Sequence, residues 1–76
     1  MPAIRPVHYQ KLVAVFSKDG FVFNRQKGSH LIYIKPGSKK RPLVIPTYHT
    51  VPVSIIKGLL ETAGMTRDRY FELLES

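Results

Sequence analysis

The feature that most restricts the fold is the spacing of three short apolar runs in the middle of the chain. Phe21-Val22-Phe23 opens the first, which continues through Asn24, Arg25 and Gln26; Leu31 to Ile34 is the second, and Leu43-Val44-Ile45 the third. All three are rich in aromatic and β-branched residues, the composition of strands. Lys27-Gly28 closes the first run as a turn, and Pro36-Gly37-Ser38 with the basic cluster Lys39-Lys40-Arg41 separates the second from the third. A parallel crossover requires a dozen residues or more, so strands this close together form an antiparallel meander.

On either side of the meander the apolar period changes to that of a helix. Tyr9, Leu12, Val13 and Phe16 lie on one face of a helix from about His8 to Lys18, which Asp19-Gly20 stops. Ile55, Ile56, Leu59, Leu60 and Ala63 mark a second helix, with Pro52 as a first-turn residue and Gly64 as its stop. Gly58 inside this helix is worth about 1 kcal/mol less than Ala on propensity, which predicts a close approach of another backbone there. Thr66 caps a last short helix, with Asp68 in its first turn and Tyr70, Phe71 and Leu74 as its stripe. The expected fold is α+β: helix, three-stranded antiparallel sheet, helix, short C-terminal helix. Laying both main helices on one face of the sheet leaves the other face uncovered.

A chain of 76 residues allows one such unit, residues 1–76, and not two. A core of this size supplies only ~3–5 kcal/mol of net stability. There is no cysteine to add a disulfide, a thiolate zinc site or a thiol nucleophile. No apolar run has the length of a membrane span and no secretory-type segment follows Met1 to Arg5, so a cytoplasmic location is the default expectation.

Charge narrows the function. The net +7 comes from 12 Lys and Arg against 5 Asp and Glu, and between Gly20 and Leu60 there is no carboxylate at all. Arg25, Lys27, Lys35, Lys39, Lys40, Arg41 and Lys57 all fall inside that stretch. A block of cations of this kind suits a polyanion, because each phosphate neutralised releases counterions and gains affinity without reading sequence. The competing reading is a solvated surface that keeps a small protein dispersed. A membrane surface is disfavoured, since no basic amphipathic helix is present.

The chemistry-bearing residues are few. Three histidines, His8, His30 and His49, have no cysteine and no nearby carboxylates to complete a metal site. Ser29 and His30 are neighbours in sequence, so on a strand they point to opposite faces and form no triad. His30 begins a strand directly after Lys27-Gly28-Ser29, where a turn brings backbone N–H groups and a lysine toward a phosphate. A ribonuclease that needs no metal must remove the 2′-OH proton, and imidazole titrates near neutral pH as such a base requires. Arg25 and Lys27 are placed to hold the phosphate, with Ser29, Lys39, Lys40 and Arg41 as further RNA contacts. Tyr48 and His49, in the loop before the second helix, are candidates to assist; together with Lys27 they are unranked for the general acid. The bland reading of His30 is a packed or solvent-facing strand residue.

Gly20-Phe21, Arg25-Gln26-Lys27-Gly28-Ser29-His30, Val44-Ile45-Pro46 with His49, and Leu59-Leu60 to Ala63-Gly64 together resemble the HicA family of messenger-RNA interferase toxins, over nearly the whole chain. The resemblance implies a fold similar to the double-stranded-RNA-binding domain and His30 as the catalytic residue. It further implies cleavage of mRNA without a metal or small-molecule cofactor, and neutralisation by a cognate HicB-like antitoxin. Ser54-Ile55 stands where the family often has Gly-Thr, and the loop from Lys35 to Arg41 is longer than in many members. Two other functions fit the same residues: a non-catalytic double-stranded-RNA-binding module gripping backbone, and an interaction protein whose uncovered sheet docks another chain.

Overall fold

The computed structural model describes residues 3–76. Helix α1 (Tyr9–Lys18) leads into strands β1 (Val22–Lys27), β2 (His30–Ile34) and β3 (Leu43–Pro46), followed by helices α2 (Val53–Ala63) and α3 (Arg67–Glu75). The strands form one antiparallel sheet in the order β1-β2-β3, the meander that the short connections require. The whole is α+β with the element order of a double-stranded-RNA-binding domain.

The helix ends follow from identifiable side chains. His8 is the N-cap of α1, its Nδ1 accepting from the Gln10 N–H at 3.1 Å, so it is a cap and not a residue of the helix surface. Gly64 ends α2 in the left-handed region at φ 67°, where Lys40 Nζ lies only 2.6 Å from the position a Cβ would take. Thr66 caps α3 by accepting from the Arg69 N–H. Pro52 stands one residue before α2, as its N-cap. Gly58 does not meet the expected neighbouring backbone: a Cβ there would meet nothing within 4 Å. The cost of that glycine to the helix is uncompensated by packing.

The core lies on the helix side of β2 and β3. Leu12, Val15 and Phe16 of α1 meet Ile56, Leu59, Leu60 and Ala63 of α2 over Tyr33, Leu43 and Ile45. Val15 joins this group although the spacing pointed to Tyr9 and Val13, which are only partly buried. Helix α3 adds Tyr70 and Leu73 by packing on α1, and its Phe71 and Leu74 lie at the margin. Lys18 ties the two together, donating to the Leu73 carbonyl at 3.3 Å and the Ser76 carbonyl at 2.7 Å. Both main helices contact β3, while β1 pairs only with β2 and all six of its residues are exposed.

Candidate nucleic-acid interface

The turn between β1 and β2 is made by Gly28 and Ser29, one residue later than the sequence places it, so Lys27 is the last residue of β1. Gly28 has φ 60° and Ser29 a negative φ, the pattern of a type II′ hairpin turn, which favours Gly at its first central position. Ser29 is therefore a turn residue and not a strand neighbour of His30. Its carbonyl accepts from the Thr47 backbone N–H at 2.8 Å and from Thr47 Oγ1 at 3.0 Å, which pins the hairpin end to the segment after β3.

His30 opens β2 opposite Lys27 on one side and Pro46 on the other. Strand alternation gives it the face shared with Ile32 and Ile34, while Leu31 and Tyr33 point into the core. No helix packs on that face. His30 is exposed there, at the edge of a cleft of about 500 Å³ lined by Arg25, Lys27, Gly28, His30, Ile32 and Val44.

Arg25 and Lys27 reach this face through an irregularity in β1. Val22 pairs with Ile34 and Phe23 with Tyr33, but the next pairing is Arg25 with Ile32. Asn24 is an extra residue, a β-bulge of the kind found beside functional sites where a side chain must be re-aimed. Regular alternation would put Arg25 and Lys27 on the side of Phe23, whose ring meets Tyr33 at 5.8 Å on the helix side. The bulge reverses that phase and turns both cations toward His30. Asn24 Oδ1 also accepts from Arg25 Nη1 at 2.9 Å.

The other candidates fall elsewhere. Lys39, Lys40 and Arg41 lie beyond the opposite end of the hairpin, since β2 alone carries the chain about 13 Å from His30 to Ile34. They line a separate groove with Gly58, Glu61 and Thr62 of α2. Lys40 Nζ lies at the C-cap of α2, which has no basic residue in its own last turn, so Lys40 supplies the cation that a helix C-terminus favours. Lys35 is drawn to Asp19, 3.6 Å away, and Asp19 is also 3.6 Å from Arg69. His49 meets the His8 ring edge-on at 5.0 Å, and neither it nor the exposed Tyr48 lines the cleft. Among the described residues no three His, Asp or Glu side chains gather closely enough to hold a metal ion, and no helix is long and apolar enough to cross a membrane.

The sequence reading therefore located His30, Arg25 and Lys27, and the structure brings these three together. It missed Asn24, Ile32 and Val44. Nothing in the sequence marks a bulge, and an apolar residue on an uncovered sheet face looks like core until the helices are placed.

Compared with known families, residues 9–65 match the model described as "HicA toxin of bacterial toxin-antitoxin". The chain belongs to the HicA toxin family. The match runs from the first residue of α1 to just beyond α2, so it contains the sheet, the cleft and both helices that pack on β3. No curated protein and no solved structure matched this HicA-family chain. Membership makes it a toxin of the toxin–antitoxin type and points to an antitoxin as its partner.

Proposed function

We propose that this HicA-family toxin is a metal-independent endoribonuclease acting on mRNA, with His30 as general base. The observation that carries the reading is an exposed imidazole at the start of β2 with two cations beside it on an open sheet face. His30 takes the proton from a ribose 2′-OH. The oxygen so released attacks the adjacent phosphorus, and the bond from phosphorus to the 5′-oxygen breaks. That oxygen departs with a proton taken from solvent water, leaving a 2′,3′-cyclic phosphate and a 5′-OH end. Arg25 and Lys27 hold the phosphate and offset the negative charge that grows on it. Lys39 and Arg41, outside the cleft, draw the RNA in through their field and contact backbone further along. A HicB-like antitoxin neutralises the toxin, and the carboxylate-free middle of the chain favours an acidic partner surface.

The deciding experiment is cleavage of labelled RNA with EDTA present. A positioned general base contributes ~10²–10⁴-fold in rate, so folded His30→Ala should cut slower by that factor. A 2′-deoxy nucleotide at the cut site should block the reaction altogether. Equal rates for wild type and His30→Ala would end the catalytic role. Intact RNA under tight, salt-sensitive binding would make the protein a binding module instead.

A further inference from the structure

The open face of a sheet ordinarily alternates to polar residues, yet here it does not. Behind His30 the outward positions are Ile32 and Ile34 on β2, with Val44 on β3 paired to Ile32. Ile32, flanked by Arg25 on β1 and Val44 on β3, is only 7% exposed although no helix covers it. Val44 remains 47% exposed and forms the accessible floor of the cleft on β3, across β2 from Arg25 and Lys27, so that Arg25, Ile32 and Val44 form one row over the sheet and Lys27 and His30 the next.

We infer that this floor, Val44 with Ile32 beside it, seats an unpaired nucleobase next to the phosphate held by Arg25 and Lys27. The inference rests on the ribonuclease reading for the identity of the ligand and goes beyond it in the form the RNA must take. Cations around an apolar floor fit a molecule that joins an anion to a flat, weakly hydrated surface, and a nucleotide does so within one unit. A base inside an A-form helix is stacked on both sides and paired at its edge, so only an unpaired base offers a face to Val44. Duplex RNA is then gripped by its backbone and left uncut.

Two measurements test this. The first is binding of the uncleaving His30→Ala variant to a single-stranded RNA oligonucleotide, and to a ribose-phosphate oligomer of equal length carrying no bases. The charges are identical, so an electrostatic surface alone binds both equally. A base seat makes the intact oligonucleotide tighter by on the order of ten-fold, toward the lower end of what a base gains on a flat side-chain platform. Val44→Ser in that background should remove most of the difference, and Val44→Phe, a larger platform at an exposed strand position, should keep or widen it. Equal affinity for the two ligands, or a difference untouched by Val44→Ser, overturns the inference and leaves the floor for an apolar side chain of a protein partner.

The second measurement uses wild type with the same sequence as a single strand and as a duplex. The single strand should be cut, and the duplex should bind without being cut. Equal cutting of both overturns the base seat while leaving the ribonuclease reading intact. Failure of that reading shows separately, as RNA left intact by wild type, and the binding comparison still decides the base seat.

Discussion

Tyr70 shows how much a single side chain can cost a small core. It is 1% exposed, and its phenol oxygen has no hydrogen-bond partner among the described residues. Burial raises its pKa above the ordinary value by disfavouring the anion. A raised folded pKa means that the folded state holds the proton longer than the unfolded chain does. The associated stability is fully present below about pH 10, the ordinary phenol value, and is lost as pH rises from there through the folded pKa. Tyr70→Phe deletes the unpaired hydroxyl without deleting the ring, so it should stabilise by about 1 kcal/mol and flatten the alkaline decline. Urea unfolding on either side of about pH 10 measures both effects. Tyr70 was legible as an apolar stripe residue, whereas its stranded hydroxyl depends on which atoms surround it. Lys40 teaches the same lesson: in sequence it belongs to a basic cluster, and in space it stands at the end of α2.

Element types and their order were legible because the apolar period changes abruptly at Gly20 and again after Pro46. The phase of β1 was not. Phe23, Arg25 and Lys27 have the same parity, and only the Asn24 bulge separates the ring from the two cations. Two single-residue deletions isolate this device. Removing Asn24 leaves Phe23 opposite Tyr33 and Arg25 opposite Ile32, now in regular alternation, so Arg25 stays on the cleft. Removing Gln26 instead moves Arg25 opposite Leu31, onto the helix side, and brings Asn24 out in its place. Both variants lose one residue from the same exposed strand. RNA affinity should change little in the first and fall about 10- to 100-fold in the second, the range for losing one charge-assisted hydrogen bond to phosphate. Similar losses in both would show that Arg25 does not hold the ligand.

Over the molecule as a whole, the segregation of charge was readable from the sequence, but its division into two groups was not. Arg25 and Lys27 share the cleft with His30, and Lys39 to Arg41 flank α2 at the other end of the hairpin. Salt dependence separates them. For single-stranded nucleic acid the slope of log affinity against log salt is about −0.7 per phosphate neutralised. Lys27→Ala should therefore make the slope shallower by about 0.7, while Lys40→Ala should leave it nearly unchanged. The reverse result would move the nucleic-acid path to the far groove.

The two main helices rest on β3, and β1 is attached along one edge only, with every residue exposed. The cationic grip thus hangs on the outermost limb of the protein, while the imidazole stands on the central strand. Amides of β1 should exchange with deuterium well before those of β2 and β3, through fraying that leaves the interior closed. RNA should slow that exchange, because its phosphate holds Arg25 and Lys27 while its ribose sits at His30 on β2. The toxin would then be most rigid at the moment it holds RNA.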